Sequence, residues 1–287
     1  MNRLFGLKGI RSRLKAWSIA RIHRDYAAAS PLPDSLFLDK QPQPGAWDLV
    51  TIAFNNPDVI RLQHQLLTKR IKDAFVYTVA DNSNDQTARA TIRAYCLQEG
   101  VPYLSLPPSP FKAPRYSDSH GAALNLVYNQ YVLKRQASRI GLLDHDIFPL
   151  HELTLGDYLD GQPFYGMLQE TPANVPGGQL RYLWPGLAFF EAAFLKGKHI
   201  DFSPRCDGDT GSSCFDTLYK PILIDQGKAT VYRFAEEERR PLWPGEDFQH
   251  DMVAIIGGDW LHLVNASDWA GGGQTNRKLA ELTSLLK

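Results

Sequence analysis

The sequence contains no run of about 18 or more apolar residues, so it is not expected to form a membrane-spanning helix. Cysteine is scarce. Cys96, Cys206 and Cys214 lie far apart without a Cys-x-x-Cys pair, which argues against a disulfide framework and for a reducing, cytoplasmic setting. Net charge is missing too: 31 Lys+Arg balance 31 Asp+Glu, leaving no general case for a nucleic-acid partner. Internal repeats and low-complexity tracts are absent. What remains is a 287-residue chain of 44% hydrophobic content, long enough for one large α/β domain or two small ones.

Acidic residues are missing locally from positions 1–24, which hold Arg3, Lys8, Arg11, Arg13, Lys15, Arg21 and Arg24. Leu7, Ile10, Leu14 and Trp17 fall there at helical spacing. Basic residues interrupt any secretory hydrophobic segment. Two readings fit: a helix peripheral on an anionic membrane surface, such as the inner face of a membrane, or a helix packed on the domain. Residues 30–46, with Pro31, Pro33, Pro42 and Pro44, read as a linker. The expected organisation is a basic amphipathic helix with linker over 1–46 and one domain over 47–287.

That domain begins as alternating strands and helices. Strands are expected over 47–54, 74–80 and 101–106, and amphipathic helices over 58–72 and up to 99, the second capped by Ser83 or Asn84. A further helix opens near His120 and reaches about 136. The apolar run Ile140-Gly141-Leu142-Leu143 then reads as a strand buried on both faces. This order implies right-handed crossovers and a mostly parallel sheet with helices on both faces. Later strands are expected over 164–169, 187–190, 229–234 and 260–264. Helices are expected over 191–196, over 215–226 with Pro221 as an interruption, and over 276–286 after Gly271-Gly272-Gly273.

The fourth strand ends in Asp144-His145-Asp146. Ligands collect outside the carboxyl ends of strands in open α/β sheets. Two carboxylates one residue apart face the same way if strand geometry persists, so both can serve one hard cation, Mg²⁺ or Mn²⁺. Pro149 is expected to stop further pairing.

Several places, in order over roughly residues 47–265, resemble the nucleotide-sugar-dependent glycosyltransferases of GT-A fold, especially the family 2-like group. They are Val50 to Asn56, with Asn55 in the turn; Ala80-Asp81-Asn82-Ser83-Asn84-Asp85; Gly121-Ala122-Ala123-Leu124-Asn125; and Leu143-Asp144-His145-Asp146. The resemblance implies a GT-A-like, Rossmann-type sheet and transfer of a sugar, with inversion, from a nucleotide-sugar donor to a glycan or lipid-linked acceptor. It assigns Asn55, Asp81, Asn125, Asp144 and Trp184 to the donor. It assigns Asp144, Asp146 and His262 to a divalent cation, Mn²⁺ or Mg²⁺. Trp184-Pro185-Gly186-Leu187 is similar to a loop under the donor sugar. The acceptor-activating base maps to Asp209, with Asp207 second, although this stretch departs from the family's usual Glu-Asp. Lys112, Arg115 and Arg181 are candidates for meeting phosphate charge.

Two other functions share parts of this pattern. Haloacid-dehalogenase-like phosphohydrolases also carry Asp-x-Asp after a strand, but after the first strand and usually before Thr or Val. A non-catalytic, membrane-associated nucleotide-binding protein would keep the sheet without turnover.

Overall fold

A computed structural model describes residues 2–112, 114–175, 178–205, 208–227, 231–242, 252–264 and 275–286. After α1 (Asn2–Ala27) come β1 (Trp47–Ala53), α2 (Pro57–Arg70), β2 (Phe75–Asp81), α3 (Gln86–Glu99), β3 (Tyr103–Ser105), α4 (Tyr116–Gln130) and β4 (Arg139–Asp144). The four strands are parallel in the order β3-β2-β1-β4. β6 (Phe164–Pro172) and β7 (Gln179–Glu191) extend this sheet beyond β4 as antiparallel strands, and α5 (Ala192–Leu195) follows. A second, antiparallel sheet has the order β5-β10-β9-β8, from β5 (Ile147–Pro149), β8 (Glu237–Pro241), β9 (Met252–Ile256) and β10 (Trp260–Val264). The chain closes with α6 (Thr275–Leu285).

The continuous apolar runs are explained by helices on both faces. Along β1, Val50 and Ile52 pack into the core that holds Ala122, Leu126 and Val127 of α4. Leu49 and Ala53 face the opposite core, with Ile60 and Leu67 of α2 and Ile92 of α3. Each such aliphatic side chain contributes roughly 1.5–3 kcal/mol on full burial. A third cluster seals α2 and α6 on the second sheet through Leu66, Phe148, Leu261 and Leu282.

Local differences from the sequence reading have physical causes. Asp85, rather than Ser83 or Asn84, caps α3, accepting from the Thr87 and Ala88 N–H groups at 2.7 and 3.0 Å. Ser83 and Asn84 are instead bound to Asn55. α4 begins a turn before His120 and ends at Gln130, where Tyr131 and Arg135 turn inward. Arg135 Nε lies 2.7 Å from the buried Asp48 carboxylate. The region 215–226 is no continuous helix but a 3₁₀ turn at Ser212–Phe215 and a π turn at Lys220–Ile224, since Pro221 has no N–H to donate. Residues 231–234 form no strand; pairing resumes in the Met167–Ala235 bridge, and 229–230 lie outside the described residues. Pro149 does not end pairing: it belongs to β5, opposite Trp260. Gly271 to Gly273 also lie outside the described residues.

α1 packs on α4 through Ile19, Ile22, His23 and Tyr26, while Leu14 and Trp17 on its far side are each 61% exposed. Residues 30–46 lie along the sheet edge, with Leu32 N–H donating to the Ser105 carbonyl and Leu36 bridging Tyr103. No helix among the described residues is long and apolar enough to cross a membrane.

Candidate active site

The acid pair sits where the chain leaves one sheet for the other. β4 ends at Asp144, His145 and Asp146 form a tight turn, and β5 starts the second sheet. The two carboxylates therefore converge through a turn, not through the alternation of a continued strand. Gln63 of α2 fixes this turn: its Nε2 donates to the Asp144 carbonyl at 2.6 Å and the Ile147 carbonyl at 2.8 Å. The Tyr77 hydroxyl donates back to Gln63 Oε1. β10 pairs with β5 so that His262 stands opposite Ile147, and Leu263 N–H donates to the Asp146 carbonyl at 3.1 Å. Register thus delivers a histidine from far along the chain to the acid pair.

One donor atom each from Asp144, Asp146 and His262 lies within 4.8 Å of the others. His262 Nε2 is 3.7 Å from Asp146 Oδ1, too long for a hydrogen bond, and that oxygen is buried without a partner. Cation–oxygen bonds of about 2.0–2.2 Å put donor atoms roughly 3–4 Å apart, so the spacing and the O,O,N donor set fit Mg²⁺ or Mn²⁺. Burial, then the Asp144 charge, pushes Asp146 well above the ordinary carboxylate range. A bound cation would reverse that balance. Burial, reinforced by Arg239, lowers His262 to about 3, leaving the neutral imidazole that ligation requires. Burial also lowers His145 to about 4, against the opposing pull of Asp144.

These groups line a cleft of about 450 Å³ at the carboxyl ends of β1 and β4. His120 of α4 places Nε2 3.2 Å from Asp144 Oδ1. Trp184 forms a wall, its ring 4.8 Å from the His262 ring. It lies within β7 rather than in a loop, and Gly186 makes its pose possible: a Cβ there would fall 2.2 Å from the indole. Asp209 stands exposed on the rim. Its N–H donates to the Tyr182 hydroxyl, and its Oδ1 accepts from Thr210 N–H at 2.7 Å. Asp207 lies outside the described residues.

Other expected donor contacts sit elsewhere. Asp81 is fully buried, with one carboxylate oxygen accepting from Ser83 N–H and the other from the Tyr103 hydroxyl; its neighbour Asn82 lines the cleft. Asn55, at φ +53°, ties the β1 turn to Asn84 and Asp85. Asn125 holds the segment behind α4, donating to Asp201 and Ser203 and accepting from Phe202 N–H. Arg115 pairs with Asp118 and Arg181 with Glu170, while neither they nor Lys112 line the cleft. Among the described residues, the basic side chain that lines the cleft is Arg239 of β8, 2.9 Å from Glu237. Nothing in the local sequence flagged Arg239 or Gln63, whereas His120 was visible as the opening of a helix.

No family model and no curated protein matches the sequence. Among solved structures, the chain is similar to a mannosyltransferase from Pyrobaculum calidifontis in complex with GDP-Man and Mn²⁺, at 12% identity and TM-score 0.39, over 67% of this chain and 56% of that one. S. aureus TarS 1–349 aligns at 14% identity and TM-score 0.37, over 59% and 53%. The S. cerevisiae mannosyltransferase Ktr4p aligns at 8% identity and TM-score 0.36, over 63% and 66%. The match to the first of these spans only about half of its length. Alignments this loose describe partial geometric likeness, so the case for function rests on the cleft itself.

Proposed function

We propose that the chain is a nucleotide-sugar-dependent glycosyltransferase acting with a divalent cation. One observation carries this reading: Asp144, Asp146 and His262 converge at the carboxyl edge of a parallel sheet, with a buried Asp146 oxygen unpartnered. When bound, Mn²⁺ or Mg²⁺ would offset charge gathering on the departing nucleoside diphosphate. The chain's own residues supply the rest. Gln63 holds the acid turn rigid. Arg239, at the cleft wall and paired with Glu237, offers guanidinium N–H donors to the leaving group's phosphate oxygens. Trp184 offers an aromatic face to sugar C–H surfaces. Asp209, on the open rim and oriented through Thr210 and Tyr182, takes the proton from the attacking acceptor hydroxyl, as an inverting displacement requires. The acceptor is a glycan or a lipid-linked hydroxyl compound. Asp81, Asn55 and Asn125 act by shaping the donor site from behind. The phosphohydrolase and non-catalytic alternatives have no observation in their favour.

The test is to incubate purified protein with a panel of nucleotide sugars and Mn²⁺, reading nucleoside diphosphate release. Release that depends on one donor and on added metal is expected. Release of inorganic phosphate from phosphomonoesters, with every nucleotide sugar intact, would overturn the reading.

A further inference from the structure

A second and larger groove, of about 1010 Å³, runs between α1, the start of α4 and residues 199–205. Small residues on α1, Ala16, Ala20 and Ala27, leave this space open, and Ile19 and Ile200 give it an apolar floor. Its rim is cationic. Lys15, Arg24, Arg115 and Arg205 line it with two acids, Asp118 and Asp201. Arg205 is itself paired with Asp216 at 2.8 Å, so the unpaired charge among the described residues is that of Lys15 and Arg24.

Both acids are already engaged. Asp118 holds His23 Nε2 at 3.0 Å and Arg115 Nε at 2.8 Å. Asp201 accepts from Asn125 Nδ2 at 2.8 Å and from Ser203 N–H at 2.9 Å. Lys15 and Arg24 pair with no carboxylate among the described residues and are exposed. A separate observation concerns His23, whose side chain on the groove wall is only 6% exposed, yet whose Nδ1 is buried without a partner. Uncompensated positive charge, an unsatisfied imidazole nitrogen and an apolar floor suit one kind of occupant.

We propose that this groove binds an amphiphile with a phosphate-type anionic head, the head at the cationic rim and the hydrocarbon along Ile19, Ala20, Ala27 and Ile200. The groove and the candidate active cleft share the first turn of α4: Arg115 and Asp118 face the groove, Ser117 and Ser119 the cleft. The Thr210 hydroxyl, beside Asp209, donates to the Ser117 carbonyl at 3.1 Å. Through this shared turn the groove adjoins the rim that carries Asp209, so a hydroxyl carried by the bound amphiphile is the acceptor. That acceptor role rests on the sugar-transfer reading; the binding itself does not.

Isothermal titration of the full chain with decyl phosphate, kept below micelle formation, tests the site. Saturable binding is expected, weakened about tenfold or more in the Lys15→Glu, Arg24→Glu double variant, since two exposed attractions become repulsions. Lys15→Arg with Arg24→Lys is expected to keep it, as is Asp146→Asn, whose change lies in the other cleft. Decyl glucoside, which lacks the charge, and inorganic phosphate, which lacks the chain, are each expected to bind far more weakly. Equal binding of either, or unchanged decyl phosphate binding in the charge-reversed variant, would overturn the proposal. Binding that survives in a protein showing no sugar transfer would remove only the acceptor role.

Discussion

Replacing Asp146 by Asn separates a metal ligand from a structural carboxylate. The side chain is buried beside the Asp144 charge, and one oxygen has no hydrogen-bond partner. An isosteric amide keeps the packing and the Leu263 N–H bond to the Asp146 carbonyl. It also removes a charge that burial and Asp144 both disfavour. The metal-free variant should therefore be at least as stable as the parent. With Mn²⁺ at about 100 times its dissociation constant, the parent gains about 2.7 kcal/mol. For a chain of this size that raises Tm by roughly 5–10 °C. A hundredfold loss of affinity leaves about 0.4 kcal/mol, on the order of 1 °C. Scanning calorimetry of both proteins, after chelator treatment and with Mn²⁺ restored, reads the two effects separately. An undiminished Mn²⁺ shift in Asp146→Asn would refute the ligand assignment. A metal-free variant melting well below the parent would refute the reasoning that burial and Asp144 make this charge unfavourable.

Asp209→Asn is expected to lower turnover by orders of magnitude with donor affinity nearly intact, because a base acts only when the acceptor attacks; stopped assays beside donor titrations check this, and an active Asp209→Asn with inactive Asp207→Asn would move the role. Asp48→Ala should destabilise the fold by about 3–5 kcal/mol, since it strands the Arg135 guanidinium in the core, a loss that chemical denaturation measures directly. Acid should weaken the metal-free protein through His145. From about pH 6.5 toward its folded value of about 4, the unfolded chain binds a proton that the folded chain refuses, so stability falls with pH by up to about 1.4 kcal/mol per unit. Asp48, raised by burial to about 6, acts with the opposite sign between about pH 4 and 6, so His145→Gln against the parent isolates the histidine in denaturation at pH 7 and 5. Were α1 to dock on an anionic membrane, its exposed Leu14 and Trp17 would be the inserting residues, and Leu14→Ser with Trp17→Ser should then abolish co-sedimentation with anionic vesicles; equal sedimentation of variant and parent would refute such docking.

The early strands and helices were legible because they obey local rules. Val50 and Ile52, or Leu142 and Leu143, form apolar runs that only a sheet covered on both faces buries, and Asn56-Pro57 starts α2 as a capped turn should. Asp144 and Asp146 could be singled out because a strand end is visible in sequence and two carboxylates one residue apart there can share one cation. The second half resisted for equally physical reasons. β7 carries Pro185 and Gly186, which read as a loop; they sit at a register shift in the pairing with β6 and are carried within the strand by the flanking Leu183 and residues 187–191, which do pair. β8, with Glu237, Arg239 and Arg240, is too polar to announce itself and exists because β9 pairs with it. Asp81 and Asn125 sit in motif positions that suggested ligand contact, yet nearby backbone and side-chain donors satisfy them, which only packing reveals. Sequence alone determined which residues are chemically able to hold a cation, because ligand type is a local property. That His262 stands against Asp146, that Gln63 braces their turn and that Arg239 faces them was decided by strand register and by helix packing across the sheet. Those are long-range agreements among segments that carry no local signal of one another.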